Sequence, residues 1–261
     1  MRNDIEAAFS RRQKPLLMTH VVAGYPDLDR SRETVGVMVE NGAGLVEIQI
    51  PFTDPLADGP TITAATRDTL KNGVRPKDCL AMVRQLKKRI STPILVMTYG
   101  NISYRMGLER FAAACAEAGA AGAIIPDLAF DEVAEDLPGL FRRRGLAWIP
   151  VLSPGMGKER IRRVLNAASG FAYITLRVGI TGAKSRLART GVEFIDIVRG
   201  VTNLPLAAGF GVSRPEHVRL LRNKVDAVVI GSRLLHLYNI GGLKGVASFL
   251  RLCRRELDSS G

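Results

Sequence analysis

The stretch VEIQIPFTDPLADGP, residues 46–60, changes character in its middle. Val46, Ile48 and Ile50 alternate with Glu47 and Gln49, the period-two pattern of an extended strand. Pro51, Pro55 and Pro60 then rule out a continued ladder or a helix interior, so the second half reads as a loop. A strand carrying one acid therefore feeds a loop carrying two more, Asp54 and Asp58. An acid in a buried strand is costly unless it is paired or used on a ligand. Which of these holds depends on where Glu47 points, and that depends on the fold.

Eight apolar, β-rich runs recur along the chain, at residues 16–22, 44–50, 92–99, 121–126, 146–152, 170–176, 203–209 and 225–231. Segments of helical periodicity separate them, among them residues 31–42, 108–119, 131–145, 159–169 and 214–223. A strand returns every roughly 25–30 residues, the spacing of repeated βα units. Eight such units in 261 residues predict a (β/α)8 TIM barrel in one domain, residues 1–261, with a doubly wound open sheet as the alternative. An extra N-terminal helix at residues 3–13 would plug the bottom of the barrel, and an amphipathic C-terminal helix at residues 243–258 would cover its outside. In a barrel, strand residues alternate between the interior and the helix layer. Val46, Ile48 and Ile50 then pack against helices. Glu47 and Gln49 face the interior near the C-terminal end, where barrel active sites sit.

Composition narrows the function. No apolar run reaches spanning length, and the start MRNDIEAAFSRRQK lacks an apolar signal core, so a soluble cytoplasmic protein is expected. Cys79, Cys115 and Cys253 are far apart without CxxC spacing, and His20, His217 and His236 form no pair at helical spacing. A disulfide framework and a metal site are therefore not expected, and the histidines read as core or surface residues. The formal charge is +12. Its basic clusters, at residues 11–14, 87–89, 142–144, 162–163 and 254–255, fall on separate helices without interleaved aromatics. They read as solvated helix faces rather than a nucleic-acid surface.

Two glycine turns mark a phosphate end. The seventh strand runs into AAGFGVSRPEH, residues 207–217, and the eighth into IGSRLLH, residues 230–236. Gly209 and Gly211 let backbone N–H groups approach a ligand, and Gly231 and Ser232 open a helix. Loops after strands seven and eight are the usual phosphate site of a barrel. A third loop, LRVGITGAKSRLART at residues 176–190, is long and basic through Arg177, Lys184, Arg186 and Arg189, and reads as a lid.

IPFTDPLADGP resembles the signature of the tryptophan synthase alpha subunit family. The similarity continues through HVVAGYPD (20–27), MTYGNISYRMGLERF (97–111), IIPDLAFDE (124–132), YITLRVGITG (173–182) and the GFGVS and IGSR turns, in order over nearly the whole chain. The resemblance implies a barrel that cleaves indole-3-glycerol phosphate to indole and glyceraldehyde 3-phosphate by a retro-aldol reaction, with no cofactor or metal. It implies Glu47 as the catalytic acid/base and Asp58 as the acid that meets the indole N–H. Tyr99 and Tyr173 fall in the matching substrate pocket, with Thr181 helping to position Asp58. Gly182, Phe210, Gly211, Gly231 and Ser232 match the phosphate cradle. It further implies a partner, the pyridoxal-phosphate-dependent beta subunit, in an alpha2-beta2 complex that receives the indole for tryptophan biosynthesis, with Asp54 on the loop near that partner. A stand-alone lyase and a non-catalytic phosphate-binding barrel are the alternatives.

The chemistry asks for these residue types. Cleavage needs a proton delivered to indole C3 and another removed from the neighbouring chain hydroxyl, and a carboxyl in a closed apolar pocket suits that exchange. Positive charge developing on the indole nitrogen asks for a fixed carboxylate beside it. The chain also departs from the family pattern. Gln49 stands where glycine is usual, so that it narrows the indole pocket or hydrogen-bonds Glu47. Thr53 replaces serine, Ala129 replaces a proline, and LRVGITG differs from the commoner lid sequence.

Overall fold

Among the described residues, nine parallel strands form one sheet whose two ends belong to a single extended segment. The computed structural model describes residues 4–11, 14–128, 136–176, 189–209 and 211–259. The strands are β1 (Leu16–Val22), β2 (Ala43–Gln49), β3 (Ile94–Met97), β4 (Gly122–Ile124), β5 (Ala147–Ile149), β6 (Val151–Leu152), β7 (Ala172–Thr175), β8 (Leu206–Gly209) and β9 (Ala227–Ile230). Their order is β5-β4-β3-β2-β1-β9-β8-β7-β6. All neighbouring pairs are parallel. The eight expected strands become nine because Pro150 divides the fifth. Proline has no N–H for the ladder, so pairing stops there and resumes one residue later. β5 pairs with β4, β6 pairs with β7, and the Pro150 carbonyl accepts from Tyr173 N at 2.9 Å. The ring therefore closes through this proline-interrupted segment, which makes the sheet a barrel rather than an open doubly wound sheet.

Helices fill the connections: α1 (Asp4–Ser10), α2 (Leu28–Glu40), α3 (Pro60–Lys71), α4 (Pro76–Lys87), α5 (Gly100–Met106), α6 (Leu108–Glu117), α7 (Leu137–Arg143), α8 (Lys158–Ala167), α9 (Arg189–Arg199), α10 (Pro215–Leu221) and α11 (Ser232–Asp258). Their starts follow local chemistry. Asp27 caps α2 by accepting from Arg30 N at 2.8 Å, and proline opens α3, α4 and α10, where a missing N–H costs nothing. Gly107, at φ +82°, separates α5 from α6. The C-terminal amphipathic segment is helical as expected and joins the helix after β9 through Gly242, at φ +55°. Of the helix expected at residues 131–145, the described part is α7, and residues 129–135 lie outside the described residues.

Two apolar layers divide the strand residues by parity. Val46, Ile48 and Ile50 pack in the outer layer with helix residues such as Met38, Val83 and Leu86. Leu45, Met18, Leu95, Ile124, Ile149, Ala207 and Val229 fill the inner one. Helix α1 sends Ile5 and Phe9 into that inner layer, with the Phe9 and Phe171 rings 5.7 Å apart. Phe171 directly precedes β7, so α1 closes the N-terminal mouth. The parity that sends Val46 and Ile48 outward sends Glu47 and Gln49 inward.

Candidate active site

The site begins with two adjacent parallel strands. In the pairing of β1 with β2, His20 lies opposite Glu47. Both side chains point into the barrel, and His20 Nδ1 sits 3.0 Å from Glu47 Oε1. Residue exposures are only 6 % for His20 and 4 % for Glu47. Burial alone would push the imidazole toward its neutral form. The field and hydrogen bond of Glu47, then the field of Asp58 and the contact with Gln49, overcome it, and the net effect raises the His20 pKa. The imidazole is thereby held toward its charged form beside the carboxylate. Glu47 Oε2 and His20 Nε2 have no hydrogen-bond partner among the described residues.

The sequence reading missed His20, having classed it as core or surface. Its signal lay in phase: Met18 and His20 share the parity of β1, and Met18 is an inner-layer residue. A polar residue on that parity, opposite an inward acid, is a pocket residue.

The loop after β2 carries the second carboxylate. Asp58 N donates to Pro55 O at 3.0 Å and Gly59 caps α3, so a tight turn leads directly into a helix. That turn buries Asp58 to 5 % exposure, while Thr53, Asp54 and Leu56 remain exposed. Gln49 Nε2 donates to Asp58 Oδ2 at 2.6 Å. Gln49 thus engages Asp58 and not Glu47, because it stands one strand period closer to the loop. Burial raises the Asp58 pKa; charge on His20 and hydrogen bonds from Gln49 and Tyr99 oppose that rise, and the field of Glu47 adds to it.

Tyr99 ties this loop to the next strand. It follows β3, is fully buried, and accepts from Ala57 N at 3.1 Å. Its ring stacks on Phe52 with centroids 5.5 Å apart. Burial and the neighbouring Asp58 push its phenol pKa well up, so it acts as a neutral donor. Tyr173, on β7 across the barrel, is likewise buried, and the fields of Glu47 and Asp58 raise its pKa beyond the effect of burial. A Cβ on Gly209 would lie 3.1 Å from the Tyr173 hydroxyl, so the glycine leaves room for that ring. The structure therefore brings Glu47, Asp58, Tyr99 and Tyr173 together, and adds His20 and Gln49.

β8 and β9, the strands that precede the two turns expected to hold phosphate, are parallel neighbours that finish at the same mouth. Gly211 has φ +115°, a conformation that L side chains rarely adopt. Gly231 precedes Ser232, the first residue of α11, whose opening N–H groups are available to an anion. A Cβ on Gly231 would approach His20 Cβ at 3.5 Å, so this turn lies beside the β1 strand that carries His20. Thr181, Gly182 and Phe210 lie outside the described residues, as do Arg177, Lys184 and Arg186 of the lid expectation. Among the described residues there is no group of three His, Cys, Asp or Glu side chains that could hold a metal ion.

Comparisons with known proteins agree in one direction. A family model described as tryptophan synthase alpha chain matches residues 7–244. A tryptophan synthase alpha chain of Dehalococcoides mccartyi is 40 % identical over 255 residues, which is 97 % of this chain and 99 % of that protein. One of Syntrophotalea carbinolica is 39 % identical over 239 residues, covering 92 % of this chain and 94 % of that protein. Among solved structures, Mycobacterium tuberculosis tryptophan synthase superposes with a TM-score of 0.91 at 30 % identity over all of both chains. The alpha subunit of Pyrococcus furiosus does so at 0.84 and 30 %, over 94 % of this chain and 98 % of that one. The chain belongs to the tryptophan synthase alpha chain family.

Proposed function

We propose that Glu47 and Asp58 carry the alpha reaction of tryptophan synthase in this chain, the lyase cleavage of indole-3-glycerol phosphate to indole and glyceraldehyde 3-phosphate. The observation that carries this reading is the pair of buried carboxylates on one strand–loop unit, close enough that the field of Glu47 acts on Asp58. Glu47 is anchored through Oε1 by His20, which leaves Oε2 to exchange protons with the substrate. It delivers a proton to indole C3 and takes one from the chain hydroxyl beside the breaking bond. His20 is a positioning residue that fixes the carboxyl and steadies its charge. Asp58 receives the ring N–H and offsets the positive charge that grows on the nitrogen as C3 is protonated. Tyr99 holds the Asp58 loop, and Tyr173 walls the pocket from the far side. Gly211, Gly231 and Ser232, joined by Gly182 and Phe210, hold the phosphate, so that binding energy at one end of the substrate orients the other. Thr181 of the lid supports Asp58.

This chemistry moves protons between carboxyls and a ring, and in our reading the alpha chain needs no cofactor or metal for it. Pyridoxal phosphate belongs to the beta subunit that receives the indole. Family membership implies that partner, and we assign an alpha2-beta2 heterotetramer, with the exposed Asp54 and Leu56 on the loop facing the beta subunit. We assign the chain to the cytoplasm; among the described residues no helix is long and apolar enough to cross a membrane.

Indole release from indole-3-glycerol phosphate, with and without a beta subunit, tests the reading. Weak release that rises on adding the partner is expected. Strong release by the free chain would identify an independent lyase. No release in either condition, with the phosphate ligand still bound, would identify a binding barrel.

A further inference from the structure

Gln49 is the residue that the general mechanism leaves without a task. It is fully buried, its parity aims it into the barrel, and its Nε2 is committed to Asp58 Oδ2 at 2.6 Å. Its other polar atom, Oε1, makes no hydrogen bond of normal geometry among the described residues, although the carboxamide interacts with the His20 imidazole. A buried carbonyl oxygen without a donor is unfavourable, and a ligand that brings the donor recovers the loss. The carboxylate of Asp58 has about four acceptor sites. Gln49 and Tyr99 take two of them, so a ring N–H can still bind without expelling Gln49. The ring N–H and the Gln49 carboxamide then sit side by side on one carboxylate. The Gln49 oxygen thus flanks the edge of the ring that carries the nitrogen.

We propose that Gln49 is a specificity-determining residue that selects aromatic rings bearing a hydrogen-bond donor next to the ring N–H, a hydroxyindole in preference to indole. This rests on the reading of Asp58 as the acceptor of the ring N–H. A hydroxyl suits the position because it donates to Oε1. A plain carbon edge leaves Oε1 unsatisfied. Sites built to hydrogen-bond a substrate hydroxyl discriminate far more sharply against its absence than apolar pockets do against a missing methylene.

The test is the reverse reaction, condensation of the ring with glyceraldehyde 3-phosphate. A bond forms between ring C3 and the aldehyde carbon, the C3 proton leaves, and the aldehyde oxygen gains a proton. Indole and 7-hydroxyindole are compared on the wild-type chain, on Gln49→Leu and on Gln49→Gly. Wild type should favour 7-hydroxyindole by about tenfold or more in kcat/KM. Gln49→Leu keeps the bulk and removes the acceptor, and should bring the ratio to about one or below. Gln49→Gly should raise kcat/KM for indole by opening the pocket. Because the readout is a ratio within one protein, partial misfolding of a variant does not distort it. Equal use of both rings by wild type overturns the proposal while leaving the lyase reading intact. So does a preference that survives in Gln49→Leu, since the reader would then lie elsewhere. Failure of wild type to condense either ring removes the lyase reading and this proposal together.

Discussion

The two mouths of the barrel are lined by the same inward parity of strand residues and are filled in opposite ways. At the N-terminal mouth, Ile5 and Phe9 of α1 meet Phe171 and Ala147 in a wholly apolar plug. At the C-terminal mouth, His20, Glu47, Gln49 and Asp58 form two hydrogen-bonded polar pairs in equally deep burial. One end contributes stability through apolar area removed from water. The other carries desolvated charge whose cost its hydrogen bonds offset only in part. Substitutions at the two ends should therefore separate folding from chemistry.

Glu47→Gln should show the largest effect. It removes the proton carrier and keeps the shape, so indole release should fall by about 1000-fold or more, within the span of general acid–base loss. Thermal stability and binding of a phosphate ligand should hold. Steady-state kinetics beside a melting curve check this, and full activity in the variant would remove Glu47 from its role. Phe9→Ala is the mirror case at the other mouth. Loss of its ring from the plug should cost about 3 kcal/mol of stability, read by denaturant unfolding, with kcat per folded molecule unchanged.

Gly211→Asp should come next. A side chain at φ +115° is strained, and a carboxylate there repels phosphate. KM should rise about tenfold or more, equivalent to about 1.4 kcal/mol of lost binding. Gly211→Ala adds the strain without the charge and should give a smaller rise. Equal effects from the two would mean that strain, not charge, is being measured, and an unchanged KM in both would take this turn out of the phosphate site.

Much of this arrangement was legible in the sequence. The period of two through residues 46–50 fixes which side of β2 carries Glu47, and repeated βα spacing tells where that side faces. The division of the fifth strand was visible in principle at Pro150, but its role in closing the ring depends on pairing with two different neighbours, which spacing does not report. His20 was hidden because its partner is 27 positions away and the two meet only through parallel pairing of β1 with β2. Gln49 drew notice as a departure expected to narrow the indole pocket or to hydrogen-bond Glu47, and parity does not tell that it reaches Asp58 instead. The turn at Pro55 that carries Asp58 back over the barrel decides that question, and it is set by a backbone hydrogen bond rather than by any periodicity.

Asp58→Asn should shift stability only modestly, and the sign of that shift distinguishes a polar end built for stability from one built for chemistry. The Asp58 pKa is raised above its ordinary value of 3.8, mainly by burial. A carboxyl with a raised folded pKa favours the fold while protonated, and that contribution is lost as pH rises through the raised value. At neutral pH the ionised Asp58 therefore opposes folding. Asparagine keeps the shape, offers a carbonyl oxygen to Gln49 Nε2, and carries no charge to desolvate. The variant should melt about 2–4 °C higher at pH 7, the shift that ~1 kcal/mol produces in a chain of this size. The gain should shrink as the pH is lowered through the raised value and wild-type Asp58 takes up its proton. Indole release should fall in the same variant, because a neutral amide does not offset the charge on the ring nitrogen. Melting temperatures of both proteins across that pH range, with activity measured alongside, check the sign. A variant less stable than wild type at pH 7 would mean that hydrogen bonds to the carboxylate outweigh its burial, and that the C-terminal mouth contributes to the fold as the plug does.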